Sequence, residues 1–161
     1  MEEVTETTAT LSELQAMGKV VVEIEVVNSE DVGLQRRSLL TSGEVRRAKL
    51  MALVDTGATM ISIPEDAIER LGLPVVRQAT SKYADGRTER RNIYGPATLN
   101  LLGRTCTVDV LSSHTGQPAL LGQLPLEGLD LLVDPRRQRL IPNPESPDMP
   151  MVDMISIIVT G

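Results

Sequence analysis

Asp55-Thr56-Gly57 is the tripeptide of this chain best placed to do chemistry. It ends an apolar run, Leu50-Met51-Ala52-Leu53-Val54, so the carboxylate leaves a buried strand and enters a tight turn. Gly57 has no Cβ, tolerates close backbone approach, and lets its N–H point back at Asp55. A carboxylate presented this way suits general acid–base work. Two of them about 3 Å apart cannot both ionise, so one keeps a proton near working pH. Such a pair can activate a water with one member and polarise a carbonyl with the other. It titrates as a unit and needs neither a metal nor a covalent intermediate. The chain carries the motif once. Alone, Asp-Thr-Gly is an ordinary turn sequence, so its weight depends on what surrounds it.

Two further features lie at suitable distances. Ser81-Lys82-Tyr83-Ala84-Asp85-Gly86-Arg87-Thr88 places Asp-Gly between extended stretches, about 30 residues after Asp55. That dipeptide predicts a hairpin with a type I′ turn, which requires positive φ at both central residues. Ala119-Leu120-Leu121-Gly122 then leads into a short helical stretch, Gln123–Asp130, about 65 residues after Asp55. Taken in order and spacing, the three features resemble the retropepsin-like aspartic proteases, and more closely their bacterial single-domain relatives. The resemblance runs from about Lys19 to Pro144.

The resemblance implies a mainly β fold: a closed, mostly antiparallel β-barrel with one or two short helices, at Pro64–Leu71 and Gln123–Leu129. It implies that Asp55 is catalytic and that Thr56, Gly57, Ala58 and Thr59 complete the active-site loop. The Thr56 hydroxyl would bond across a two-fold axis. The hairpin becomes a flap centred on Asp85 and Gly86, with Tyr83 on its inner face offering its hydroxyl over the cleft. Leu53, Ile61, Leu120 and Leu121 would support apolar substrate pockets, and binding is expected to be chiefly apolar. Since one chain supplies one Asp-Thr-Gly and lacks the length of a two-lobed enzyme, the second carboxylate must come from a second copy. The implied function is therefore a homodimeric aspartic endopeptidase acting on peptide or protein substrates, without cofactor or metal. Pepsin-like enzymes carry Ser or Thr where this chain has Ala58, which implies an acidic but milder pH optimum. The alternatives are a non-catalytic binding or dimerisation module of the same fold, or an enzyme of another class using Asp55 differently.

The elements that must position these residues are legible from alternation and punctuation. Val20, Val22, Ile24 and Val26 read as a half-buried strand. Residues 28–44 are polar, with Gly33 and Gly43, and read as a loop or long hairpin connection. Val45–Val54 is the strand that delivers Asp55. Pro64 through Gly72 has Pro at the start, acids in the first turn, Arg70 in the last and Gly at the end, which predicts a helix. Val75–Tyr83 and Arg87–Tyr94 form the flap stem, broken by Gly95-Pro96. A further hairpin is expected around Gly103-Arg104. Asp134-Pro135-Arg136-Arg137 is a turn between two short strands. His114 is a lone loop histidine, with no companion ligands for a metal.

Residues 1–18 read as a tail, residues 19–144 as the catalytic domain, and residues 145–161 as a Pro-rich linker with a C-terminal strand. That strand, Met154–Thr160, is apolar on both faces. By resemblance it is either the last element of a dimer interface or a self-cleaved tail. The net charge of −6 and the absence of Trp and Phe argue against a nucleic acid partner. Cys106 is the single cysteine and alternates with Val108 and Val110, as a small core residue would. The acidic N-terminus is unlike a signal peptide, and no apolar run has the length of a membrane span. The expectation is a soluble, cytoplasmic protein with no membrane partner.

Overall fold

Alternation in the first strand sets the inside of the molecule. In the computed structural model, which describes residues 10–152 and Met154, a short helix α1 (Leu11–Ala16) precedes strand β1 (Val21–Asn28). Ile24 and Val26 of β1 are buried, while Glu23 before them is exposed and Glu25 between them is half-buried. β1 pairs antiparallel with β2 (Arg47–Val54), from Val21 opposite Leu53 to Val27 opposite Arg47.

Helix α2 (Ser29–Arg36) fills part of the stretch that the sequence predicts as loop. Its start is capped by Asn28, whose side-chain oxygen accepts from Asp31 N–H at 3.1 Å. Glu30 and Asp31 lie in its first turn and Arg36 in its last, which complements the helix dipole. Gly33 and the low apolar content hid this helix, although the cap and the charge order were present. The α1 helix lies in the segment predicted as tail. It too is capped, by a reciprocal pair of bonds between Thr10 and Glu13.

β3 (Ile61–Pro64) leads into helix α3 (Glu65–Leu71), which ends on Gly72 at φ +63°. Its inner face is Ala67, Ile68 and Leu71. The buried Asn28 amide donates to Leu71 O at 2.8 Å and satisfies a carbonyl that the helix end leaves free. Buried Asp31 accepts from Arg46 at Nε and backbone N, 2.8 and 3.0 Å. The Arg46 guanidinium lowers the Asp31 pKa chiefly through that side-chain bond.

β4 (Val75–Lys82) and β5 (Thr88–Leu101) form the long hairpin, and β6 (Arg104–Ser113) follows β5 through Leu102-Gly103. Both of those residues have positive φ, so the two-residue primed turn occurs here. The sequence predicts a break at Gly95-Pro96, but β5 continues through it. The pair forms an irregularity between Tyr94 and Ala97, where β5 passes from the hairpin into the barrel wall. β7 (Ala119–Leu121) then enters between β2 and β3, followed by helix α4 (Gln123–Leu129). A separate small hairpin, β8 (Leu131–Asp134) and β9 (Arg139–Pro142), completes the described elements.

The sheet order is β1-β2-β7-β3-β6-β5-β4, and an additional β1–β5 pairing closes six of these strands into a barrel. β4 remains outside the ring as the outer strand of the hairpin. The pairings are mostly antiparallel, with β2–β7 and β3–β6 parallel. The core is aliphatic: Ile24, Ile61, Ile63, Leu71, Leu99, Leu121 and Leu129 are fully buried. With no Phe or Trp, β-branched residues and Leu must fill the barrel, which their low rotamer freedom suits.

The segment read as a linker is fastened down over its described part. Asp130, at φ +53° after α4, accepts from Asn143 Nδ2 at 3.0 Å, from Met151 N at 3.0 Å, and from the Ser146 hydroxyl. Buried Arg104 donates to Leu129 O, Asp130 O and Ser146 O. Together these donors, the Ser146 hydroxyl first, hold the Asp130 pKa down at about 2. Of the predicted C-terminal strand, Met154–Thr160, all but Met154 lies outside the described residues.

Candidate active site

Asp55 follows directly on β2, and three layers hold it. Behind it, Leu53 and Val54 pair with Leu120 and Leu121 of β7, and the Asp55 N–H donates to Leu121 O at 3.0 Å. Within the turn, Ala58 N–H donates to Asp55 O at 3.1 Å. Gly57 N–H donates to the Asp55 carboxylate at Oδ1, 3.0 Å. A Cβ on Gly57 would stand 3.2 Å from that same oxygen, so the close approach calls for glycine.

The third layer is α4. Its first N–H groups have no partner inside the helix. Gln123 N donates instead to Ala58 O at 2.8 Å, and Leu124 N to Thr59 O at 2.9 Å. The loop is thereby fixed to a rigid element. Gly122 makes the approach possible: a Cβ there would lie 2.3 Å from Met60 O and 2.7 Å from Ala58 O. The Ala119–Gly122 motif is therefore the platform beneath the Asp55 loop.

Asp55, Thr56, Gly57 and Thr59 are exposed in the single chain, and Ala58 is half-buried. Among the described residues, Asp55 receives one hydrogen bond to its carboxylate, from Gly57, and the Thr56 hydroxyl has no partner. A carboxylate and a hydroxyl held open side by side on a fixed loop are available to a substrate or to a second chain.

The β4–β5 hairpin reaches over this loop and encloses a cleft of about 750 Å³. Gly57, Ala58 and Thr59 form one wall, with Leu120 beside them, and Tyr83 lies on the hairpin side. Leu53 is half-buried beside that wall, while Ile61 and Leu121 are fully buried behind it. Asp85 and Gly86 form the exposed hairpin tip, beyond the cleft lining. The tip departs from the expected type I′ geometry. Gly86 N donates to Tyr83 O and Tyr83 N to Arg87 O, both at 2.9 Å, and of the two residues Asp85-Gly86 only Gly86 has positive φ, +87°. This is the three-residue loop with glycine in the left-handed position, and Asp85 serves it by accepting from Arg87 N and Nε.

The hairpin's inner face is more polar than expected. Glu89, Arg91 and Ile93 follow one another at two-residue spacing on β5 and all line the cleft. The Tyr83 hydroxyl donates to Glu89 Oε2 at 2.6 Å and accepts from Arg91 at 3.3 Å. It is therefore engaged within the hairpin and its proton is already directed at Glu89, not held free over the cleft. Arg87 stacks its guanidinium on the Tyr83 ring, 5.0 Å from the centroid. The sequence predicts none of the roles of Glu89 and Arg91, although their spacing of two was the available signal. His114 also lies at the cleft.

Among the described residues no group of three His, Cys, Asp or Glu is arranged to hold a metal. Cys106 is half-buried against Gly128 of α4, and burial pushes its thiol up to about 11, so it stays protonated at neutral pH.

A family model described as "gag-polyprotein putative aspartyl protease" matches residues 41–127, a span that holds the Asp55 loop, the hairpin and most of α4. No curated protein matches the sequence. Among solved structures, the simian foamy virus (mac) protease in solution has a TM-score of 0.43 and 23% identity, covering 66% of this chain and 90% of that one. A foamy viral protease–reverse transcriptase in complex with an RNA/DNA hybrid has a TM-score of 0.45 and 17% identity, covering 68% of this chain and 12% of that one.

Proposed function

Because the chain belongs to the gag-polyprotein aspartyl protease family, whose model spans more than half of it, we propose that it is an aspartic endopeptidase that works as a homodimer. The observation that carries this reading is the Asp55 loop itself. A single carboxylate per chain is held open by Gly57 N–H, the β7 pairing and the first turn of α4. In the proposed dimer, two Asp55 carboxylates face each other across a two-fold axis. One takes a proton from the attacking water as general base. The other, protonated because two such charges cannot share the site, donates to the scissile carbonyl oxygen. The pair then exchanges roles as the tetrahedral intermediate collapses and the amine leaves with a proton. Thr56, free of partners among the described residues, bonds its counterpart and fixes the two loops.

The β4–β5 hairpin closes over an extended peptide and excludes water from the reacting centre. The acidic chain, at −6, supports a peptide and not a nucleic acid as the substrate.

The test is hydrolysis of a mixed peptide library by the full chain, with Asp55→Asn as the control. Cleavage lost in Asp55→Asn and dependent on protein concentration in the range where the chain dimerises supports the reading. Binding without cleavage by the unsubstituted chain would instead assign a non-catalytic module of the same fold.

A further inference from the structure

We propose that Arg91 is a specificity-determining residue, selecting substrates with an acidic side chain at the position that faces the hairpin's inner surface. The proposal rests on the peptide-binding part of the function proposed above and goes beyond it by naming the side-chain class.

Arg91 projects from β5 into the cleft and is half-buried there. Its cross-strand neighbour is Ala79, and that of Glu89 is Ser81. These small partners leave the inner face to the two long charged side chains. Arg91 spends donors on two neutral oxygens, the Tyr83 hydroxyl and the Ser112 carbonyl. A guanidinium has five N–H donors in a fixed fork, so others stay free. Among the described residues no carboxylate lies within 4 Å of it, whereas Arg46, Arg77, Arg87 and Arg104 each have one.

The contacts to Tyr83 and Ser112 fix the orientation of Arg91 without neutralising it. A partly desolvated, pre-positioned cation in a cleft gains most from a carboxylate, which it can bind through charge-assisted bonds. Glu89 does not fill this role, because it is exposed and its bond is to the Tyr83 hydroxyl. The overall charge of −6 opposes an acidic ligand at long range. That field is screened over about 8 Å at physiological salt, while a contact inside the cleft is screened much less. The local cation therefore decides.

The experiment uses the full chain carrying Asp55→Asn, so that binding is read without cleavage. It is immobilised and exposed to a fully randomised decapeptide pool, and retained peptides are sequenced. The expected result is about tenfold enrichment of Asp and Glu over Asn and Gln at one position, the ratio that one charge-assisted hydrogen bond supports. Adding Arg91→Met should abolish the enrichment, Arg91→Lys should keep part of it, and Arg91→Glu should turn it toward Lys and Arg. Thermal melting of each variant establishes that it is folded, and Arg91→Lys retains a readout if Arg91→Met is not. No retained peptide, no acidic enrichment, or the same enrichment after Arg91→Met overturns the proposal. Loss of hydrolysis in the chain with Asp55 intact, alongside preserved acidic enrichment, would count against the protease reading alone.

Discussion

Substituting Gly122 by alanine tests the platform under Asp55. The added Cβ would lie 2.3 Å from Met60 O, 2.7 Å from Ala58 O and 2.8 Å from the Thr59 carbonyl carbon. All three are backbone atoms, so no side chain can swing away. Ordinary contact begins near 3.4 Å, and the loop must retreat by about 1 Å. Retreat stretches the bonds from Gln123 and Leu124 to Ala58 O and Thr59 O, now 2.8 and 2.9 Å. Overpacking of this kind costs about 1–3 kcal/mol, and each weakened bond adds at most about 1 kcal/mol. Against a typical total of about 5–15 kcal/mol the chain stays folded. A displacement of about 1 Å at a reacting group costs on the order of a hundredfold in rate. The expected outcome is an unfolding free energy, read from urea denaturation, lowered by about 1–5 kcal/mol, with kcat/KM down about a hundredfold. Gly128→Ala is the control in the same helix. Its Cβ would meet Cys106 at 3.4 and 3.5 Å, which is ordinary contact. There the gain in helix propensity leaves stability unchanged or raised by up to about 1 kcal/mol. Gly122→Ala with kcat/KM within twofold of the parent would refute the reasoning.

Other perturbations probe the flap, the carboxylate and the C-terminal fastening. Gly86→Val places a β-branched residue at φ +87°, at a cost of about 1–2 kcal/mol confined to the hairpin tip; turnover should fall while the melting temperature changes little, and unchanged turnover would place the flap's working part elsewhere. Ala58→Ser supplies a donor beside Asp55, favours its ionised form, and should move the acid limb of the pH–rate profile downward; an upward move or no move would contradict the assignment. Asp130, held at about 2 by Ser146, Met151, Asn143 and Arg104, has a folded-state pKa below its ordinary 3.8. Its contribution is therefore fully present above pH 3.8 and lost as pH falls through about 2. Limited proteolysis of residues 143–151 should rise across that window, and Asp130→Asn should make the segment susceptible at neutral pH with no further acid step of this origin.

Short-range signals carried much of this protein in its sequence. The Asp55 turn, the α3 helix between Pro64 and Gly72, α4, and the hairpin positions all follow from residues within a few places of one another, where capping, turn chemistry and alternation act. The family could be recognised from the order of three such signals. The capped helix α2 was equally local, but its low apolar content masked it. What only the tertiary structure decided depends on partners distant in the chain. The parallel seat of β7 beside β2 brings Gly122 under Ala58 and Met60, and no local rule specifies which strand a three-residue segment will join. The β1–β5 pairing closes the barrel across some seventy residues, about the separation of Val26 and Leu99. The Asp130–Ser146–Arg104 cluster turns an apparent linker into a fastened segment, because buried donors and acceptors must find partners wherever the fold puts them. The character of the cleft was decided the same way. Tyr83 is tied to Glu89, and Arg91, with no carboxylate within 4 Å among the described residues, stands opposite Ala79, because cross-strand register, not composition, determines which side chains share a face.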